Sequence, residues 1–281
     1  MEYFNSNAFL LGTLALGCFY GSTLVTALLC IFSNIKIVEL DLFFSPLFSF
    51  YQKKINNTLF TFGWLPTGSS IKLLGITPES FEDDEITEVD FRYTYFFKSK
   101  ALKVFIQLSK WIFLTTLFCL LVIFYFDQTD IFTAFNTIAD YILLALKAMF
   151  DNNSFRSQFI EATQTITVNK SILHFSFILF VLFFHLAILI DLILKWTFNS
   201  RANIPFFRKF IGVPLLLGIL WLMVWKVPTF TFSFFSHTQS ILYSINFING
   251  LYTAGIICFF ATLLIVKTNR ISFYENRLDE E

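Results

Sequence analysis

The stretch "GSTLVTALLCIFSNIKIVELDLFF", residues 21–44, changes its periodicity halfway along. Up to Phe32 it is uncharged and mostly apolar, the end of a run from 8 to 32 that holds no His, Asp or Glu. From Ile35 to Phe44 apolar and polar residues alternate, the pattern of a strand with two unlike faces. A bilayer crossing takes ~20 residues at a 1.5 Å rise, so 8–32 is long enough to be a membrane helix with a β element directly behind it. Composition agrees. The chain of 281 residues is 56% hydrophobic with 41 Phe and a mean hydropathy of +0.67. A soluble core of this size has no room for that much Phe, whereas a polytopic membrane protein does. The net charge of +0 gives no global field for nucleic acid.

Four further runs, 104–126, 171–196, 208–228 and 246–266, are long and apolar enough to cross. Segment 131–150 carries Asn136, Asp140 and Lys147 on a helical apolar period, which suits an interfacial helix better than a span. Lys and Arg concentrate in 33–103, around 195–209 and in the tail, and thin out in 127–170 and 229–245. The positive-inside rule then places the N-terminus outside and the C-terminus in the cytosol. The expected class is an α-helical polytopic membrane protein of about five spans, with a small membrane-associated β-hairpin or sheet on the cytosolic side. Its divisions are 1–126, an extracytoplasmic connection 127–170, and the C-terminal spans in 171–281.

"MEYFNSN" has no basic residue, which argues against a cleaved signal peptide, and "LALGC" lacks the order of a lipoprotein box. Cys18, Cys30, Cys119 and Cys258 all fall in apolar runs without CxxC spacing and read as packing residues. The Phe, Ile, Asn and Lys bias suggests an AT-rich, bacterial genome and thus a bacterial inner membrane.

Within 33–103, "LFSFYQKKINNTLFTFGW" (47–64) has two Phe-rich runs around a turn composition, a hairpin pattern. "PTGSSIKLLG" (66–75) adds a turn and a further strand, and 78–91 is an acidic linker. In order and spacing, "IKIVELDLFFSPLFSF" (35–50), "LPTGSSIKLLG" (65–75) and "FFKSKALKVF" (96–105) resemble the site-2 protease family of intramembrane metalloproteases. That family has a first span with HExxH, a strand, a phrase like "GFGPxLFSF", a hairpin, "PLGGYVKMLG", and "F-x-S-K" before the next span. The resemblance covers roughly 15–125. It implies a zinc site on the first span and a strand that receives substrate.

The metal positions do not follow. The resemblance puts HExxH on "STLVT", with Ser22 and Thr26 in place of the His ligands and Thr23 in place of the Glu base. Zinc takes imidazole, thiolate or carboxylate, and the reaction needs a base. A later "NxxPxxxxDG" motif supplies the family's Asp ligand. Its nearest counterpart, "NFINGLYTAG" (246–255), has Asn246 and Asn249 but neither Pro nor Asp. "AGPxxN" is replaced by "SKWIFL" (109–114). His174 and His185 share a helix face ~16 Å apart, too far to bind one metal. His185 and Asp191 remain as intramembrane polar candidates. No GxSxG pattern supports a serine hydrolase.

The resemblance therefore implies a pseudoprotease with no cofactor. Such a chain would hold a partner membrane protein or membrane-inserted peptide by strand addition at Pro66, Gly68, Ser69, Ser70, Ile71, Lys72 and Leu73. Phe48, Phe50, Phe60 and Phe62 alternate and would press one face on lipid or on a helix. An accessory subunit of a transport or export complex is the alternative, with Gly12, Gly17 and Gly21 as a close-packing stripe. An active protease with a relocated site is the weakest reading.

Overall fold

The computed structural model describes residues 2–55, 58–75, 93–126, 130–150, 154–167, 171–199 and 237–268, with a few positions between 217 and 230. Its elements are α1 (Glu2–Phe32), β1 (Ile37–Ile55), β2 (Thr58–Leu73), α2 (Lys100–Tyr125), α3 (Ile131–Phe150), α4 (Phe155–Thr167), α5 (Ile172–Asn199) and α6 (His237–Thr268). Five helical stretches have the length and composition to cross a membrane: Asn7–Phe32, Lys100–Tyr125, Ile131–Phe150, Ile172–Leu189 and Thr238–Leu263. Segment 131–150 joins this set. Most of 208–228, and all of 78–91, lie outside the described residues.

The described residues group into two compact units. The first combines Gly12–Leu114 with Phe247 onward. In it, the turn just past α1 holds Asn34, whose φ of 50° is left-handed. The Ile35 N–H then donates back to the Cys30 carbonyl at 2.8 Å, closing the last turn. Asn tolerates this conformation better than most residues, and it sends the chain straight into β1.

β1 and β2 each bend into two legs. Residues 49–55 pair with 58–63 as an antiparallel hairpin ending at Ile55 opposite Thr58. Residues 37–42 pair antiparallel with 69–73, from Ile37 opposite Leu73 to Leu42 opposite Ser69. The same 37–42 leg also lies beside 58–62, with Glu39 opposite Leu59 and Leu42 opposite Phe62. Numbers rise together there, so this central pairing runs parallel. The legs are thus ordered 69–73, 37–44, 58–65, 49–55.

Alternation gives the sheet two faces. One row across it reads Ser70, Asp41, Thr61, Gln52, and a neighbouring row on the other face reads Ser69, Leu42, Phe62, Tyr51. The apolar face meets α6. Phe60, Phe62 and Tyr51 all pack on Phe259, with ring centroids 5.5, 4.9 and 5.2 Å away. Phe48 and Phe50, expected on that face, are 56% and 58% exposed. Phe43 breaks the alternation. The register slips between Leu42 and Phe44, and Phe43 takes φ 68°, so Leu42 and Phe43 both turn inward.

α1 runs antiparallel to α2, with Gly21 against Phe113 and Thr26 against Ser109. It runs in the same direction as α6. Gly12 lies on Phe247 and Leu251, and Tyr20 bonds Thr262 at 2.6 Å. A methyl at Gly12 would overlap the Phe247 carbonyl, so the two backbones touch here.

The second unit holds Met1–Leu11 and Thr115–Asn246. α3 and α4 form a hairpin joined by Tyr141 to Thr163 at 3.1 Å and by Tyr141 stacking near Phe159. Tyr125 donates to the Ile166 carbonyl at 3.0 Å and packs on His174 and Phe175 of α5. An open cleft of about 440 Å³ between α3 and α4 is lined by Asp140, Gln158 and Glu161 among others.

Candidate functional site

The sequence singles out one turn of α1 and one leg of the sheet, and the structure brings the two together. Thr23 and Ser69 share a hydrogen bond of 2.6 Å between hydroxyls. Ser69 also donates to the Phe19 carbonyl at 3.1 Å. Three residues on, Thr26 Oγ1 meets Ser109 Oγ of α2 at 2.7 Å. Ser22, Thr23, Thr26 and Ser109 are all buried. The "STLVT" turn therefore sits at the junction of α1, α2 and the 69–73 leg, which is where the resemblance puts a metal site.

Thr26 and Ser109 each bond both a carbonyl of their own helix and one another, whereas Ser22 bonds its own helix alone. Ser22 donates to Phe19 at 2.8 Å. Thr26 Oγ1 lies 3.1 Å from the Ser22 carbonyl, and Ser109 Oγ lies 2.7 Å from the Ile106 carbonyl. Hydroxyls on a helix routinely bond the carbonyl one turn back, so a Ser/Thr-rich turn can be buried without unmet polar groups. Hydroxyls bonded to one another make a latch between elements. They bring neither a soft ligand nor a base.

The seven residues expected to receive a partner are all described and have different surroundings, and Pro66 among them is partly covered. Gly68 takes φ 140°, which glycine adopts without strain. Ser69 points into the α1 junction. Leu73 is 4% exposed, in a cluster with Cys30, Ile35, Tyr95 and Ile106. Ile71 packs against the same cluster. Ser70 donates to Asp41 Oδ2 at 2.8 Å and is exposed, as is Lys72. Only Ser70 and Lys72 thus present side chains outward. Beside Lys72, Glu39 has its carboxyl raised above the ordinary range, first by partial burial and then by the charge of Asp41, with Lys72 opposing.

The other candidates do not converge here. His174 and His185 lie on α5 in the second unit, and the side chain of Asp191 is outside the described residues. Asn246 donates to Leu242 of its own helix at 3.0 Å, and Asn249 is exposed on α6. Among the described residues no three His, Cys, Asp or Glu are grouped so as to hold a metal ion. Ser109, Phe259 and Tyr252, which donates to the Trp64 carbonyl, were not singled out by sequence. Ser109 sits in the "SKWIFL" phrase that departs from the family pattern, which is the one signal available.

Comparison with known protein families, with curated proteins and with solved structures finds no match to this chain.

Proposed function

We propose that this chain is an integral membrane protein of site-2-protease-like architecture that holds a partner membrane segment without cutting it. One observation carries the reading. The α1 turn assigned to metal binding is filled by hydroxyls bonded to the sheet and to α2, and the neighbouring leg 69–73 is an outer leg of the sheet. Thr23 lies about 14 Å up α1 from its C-terminal end, at a 1.5 Å rise per residue. A sheet tip at that depth favours capture of a segment that has left the lipid, because main-chain groups there must be met by protein or water. The exposed tip residues Phe44, Leu47, Phe48 and Phe50 suit the same setting.

The helix directions support five crossings. α1 and α6 run the same way, so an odd number of crossings separates them. With α2 and α5 crossing, one of 131–150 and 208–228 crosses and the other does not. Asp140 and Glu161 line a cleft at the middle of α3, a costly place for two carboxylates inside a bilayer. We therefore lay α3 along the outer interface, with the C-terminus in the cytosol of a bacterial cell; 208–228, the other apolar run of crossing length in the sequence, lies mostly outside the described residues.

Zinc analysis of the purified protein tests the loss of catalysis, and one zinc per chain overturns it. Removing 64–75 would strip Leu73 and Leu74 from the core, so it cannot test capture cleanly. A photo-crosslinking residue at Ser70 or Lys72 is the better probe. The reading predicts adducts with single-span proteins from that face and none from Cys30.

The alternative, an accessory subunit of a transport or export complex, has one observation in its favour. Gly12 and Gly21 are covered from within the chain, but among the described residues nothing lies within 4 Å of a Cβ at Gly17, so α1 keeps an open small-residue position there. Purification in mild detergent separates the two: a stoichiometric pump or channel supports the subunit reading.

A further inference from the structure

The turn that leads from the sheet into α2 has a chemistry that neither the hydroxyl latch nor the sheet uses. Lys98 N–H donates to the Tyr95 carbonyl at 3.2 Å and closes the turn. Tyr95 is buried in the cluster with Cys30, Leu73 and Ile106, so the turn is fixed at its base. With Tyr95 inside, the next two residues point out. Phe96 and Phe97 are 61% and 57% exposed, with their rings in edge contact at 5.3 Å. Lys103, one turn into α2, folds back over them. Its Nζ donates to the Phe96 carbonyl and lies 5.1 Å from the Phe96 ring centre. Lys98 and Lys100 follow directly after the pair, and the first turn of α2 has no acidic residue.

The length of α2 decides where this cluster lies. Its 26 residues span about 39 Å, more than the ~30 Å hydrocarbon core and close to the full bilayer with its headgroups. The end at Lys100 is therefore at headgroup level. Aromatic rings settle at that boundary, and lysines just beyond it meet lipid phosphates.

We propose that Phe96 and Phe97, together with Lys98, Lys100 and Lys103, form a binding site for anionic phospholipid headgroups in the leaflet where α2 begins. Lys98 and Lys100 contact the phosphates. Lys103 positions the turn, since its ammonium is already bonded to the Phe96 carbonyl. The phenylalanines enter the boundary between headgroups and acyl chains. The site is continuous with the sheet, because Tyr95 N–H donates to Leu74 and Lys36 N–H donates to Tyr93. Bound lipid thus steadies the base of the 69–73 leg. The proposal requires α2 to cross a bilayer and is independent of the partner-holding reading.

The test uses the full chain, delipidated in mild detergent and titrated with phosphatidylglycerol or phosphatidylcholine, with retained lipid read by native mass spectrometry. Phosphatidylglycerol should be retained preferentially and should raise the unfolding midpoint. Lys98→Gln with Lys100→Gln should weaken it roughly 10- to 30-fold, at about fivefold per juxtamembrane lysine. Lys53→Gln with Lys54→Gln, on the far edge of the sheet, should leave it unchanged. Three results overturn the site: equal retention of the two lipids, an equal loss in both lysine pairs, or competition by glycerol phosphate as strong as by the lipid. A chain that stays in solution without detergent would instead overturn the membrane assignment.

Discussion

Gly255→Ala tests how the sheet is held. The Phe43 ring lies directly on the Gly255 backbone. A methyl there would stand 2.8 and 3.0 Å from two of its ring carbons and overlap a third. The ring cannot swing aside freely. Phe43 is 1% exposed, stacked on Phe62 at 5.1 Å and edge-on to Tyr252 at 5.6 Å. Its backbone already stands at a positive φ, which for a bulky residue costs ~1–3 kcal/mol and needs its surroundings to hold it. Overpacking of this kind costs ~1–3 kcal/mol. Gly17→Ala is the control. It meets open space and gains up to ~1 kcal/mol of helix propensity. Cys18 and Cys30 are 2% and 0% exposed, so a thiol-reactive fluorogenic dye reports unfolding directly. At roughly 2–4 °C per kcal/mol, Gly255→Ala should lower the midpoint by about 2–12 °C while Gly17→Ala does not. Adding Phe43→Leu should recover part of the loss. If Gly255→Ala behaves like Gly17→Ala, or Phe43→Leu gives no recovery, the docking of the sheet on α6 is wrong.

Thr26→Val and Ser109→Ala should each cost ~0.5–1.5 kcal/mol by breaking the same bond. The double variant should cost little more than either, because both singles remove one interaction, and a double-mutant cycle in detergent measures this. Cysteines at Asp41 and Thr61 probe the parallel leg. They should react with a short bifunctional reagent, whereas an all-antiparallel sheet would keep 41 and 61 apart. Glu39 has a raised folded-state pKa, so its contribution is fully present below the ordinary carboxylate value and is lost as pH rises through the folded value. Stability should therefore fall as pH rises from the ordinary carboxylate value through the raised folded one, by more in the wild type than in Glu39→Gln. For α3, a cysteine at Asp140 should label from the outer aqueous side in sealed vesicles, and protection from both sides would make 131–150 a crossing helix.

The hairpin was legible because its signals are local. The "KINN" composition and the Phe60–Phe62 alternation are local patterns, and Ile55 does pair with Thr58. The parallel pairing of 37–42 with 58–62 was not legible, since a strand's neighbour across an intervening hairpin leaves no mark on local periodicity. Phe43 looked like one more alternating residue, and only its contact with Gly255 explains why the strand bulges there. Ser22, Thr23 and Thr26 were visible as hydroxyls standing where ligands were expected. The closure of Thr23 by Ser69 and of Thr26 by Ser109 was not, because such bonds join residues 46 and 83 positions apart and have no spacing signature. The extent of 131–150 was clear, but its relation to the bilayer turns on Glu161 of another helix.

The sheet also sets an order of events during synthesis. Its apolar face is complete by Leu73, yet Tyr252, Gly255 and Phe259 that cover it belong to α6. A ribosome adding ~5–20 residues per second reaches them roughly 10–40 s later. Throughout that interval Phe43, Phe60 and Phe62 stand uncovered beside α1. A nascent chain stalled before α6 would therefore leave open an aromatic surface that the finished protein covers with Phe259 and Tyr252.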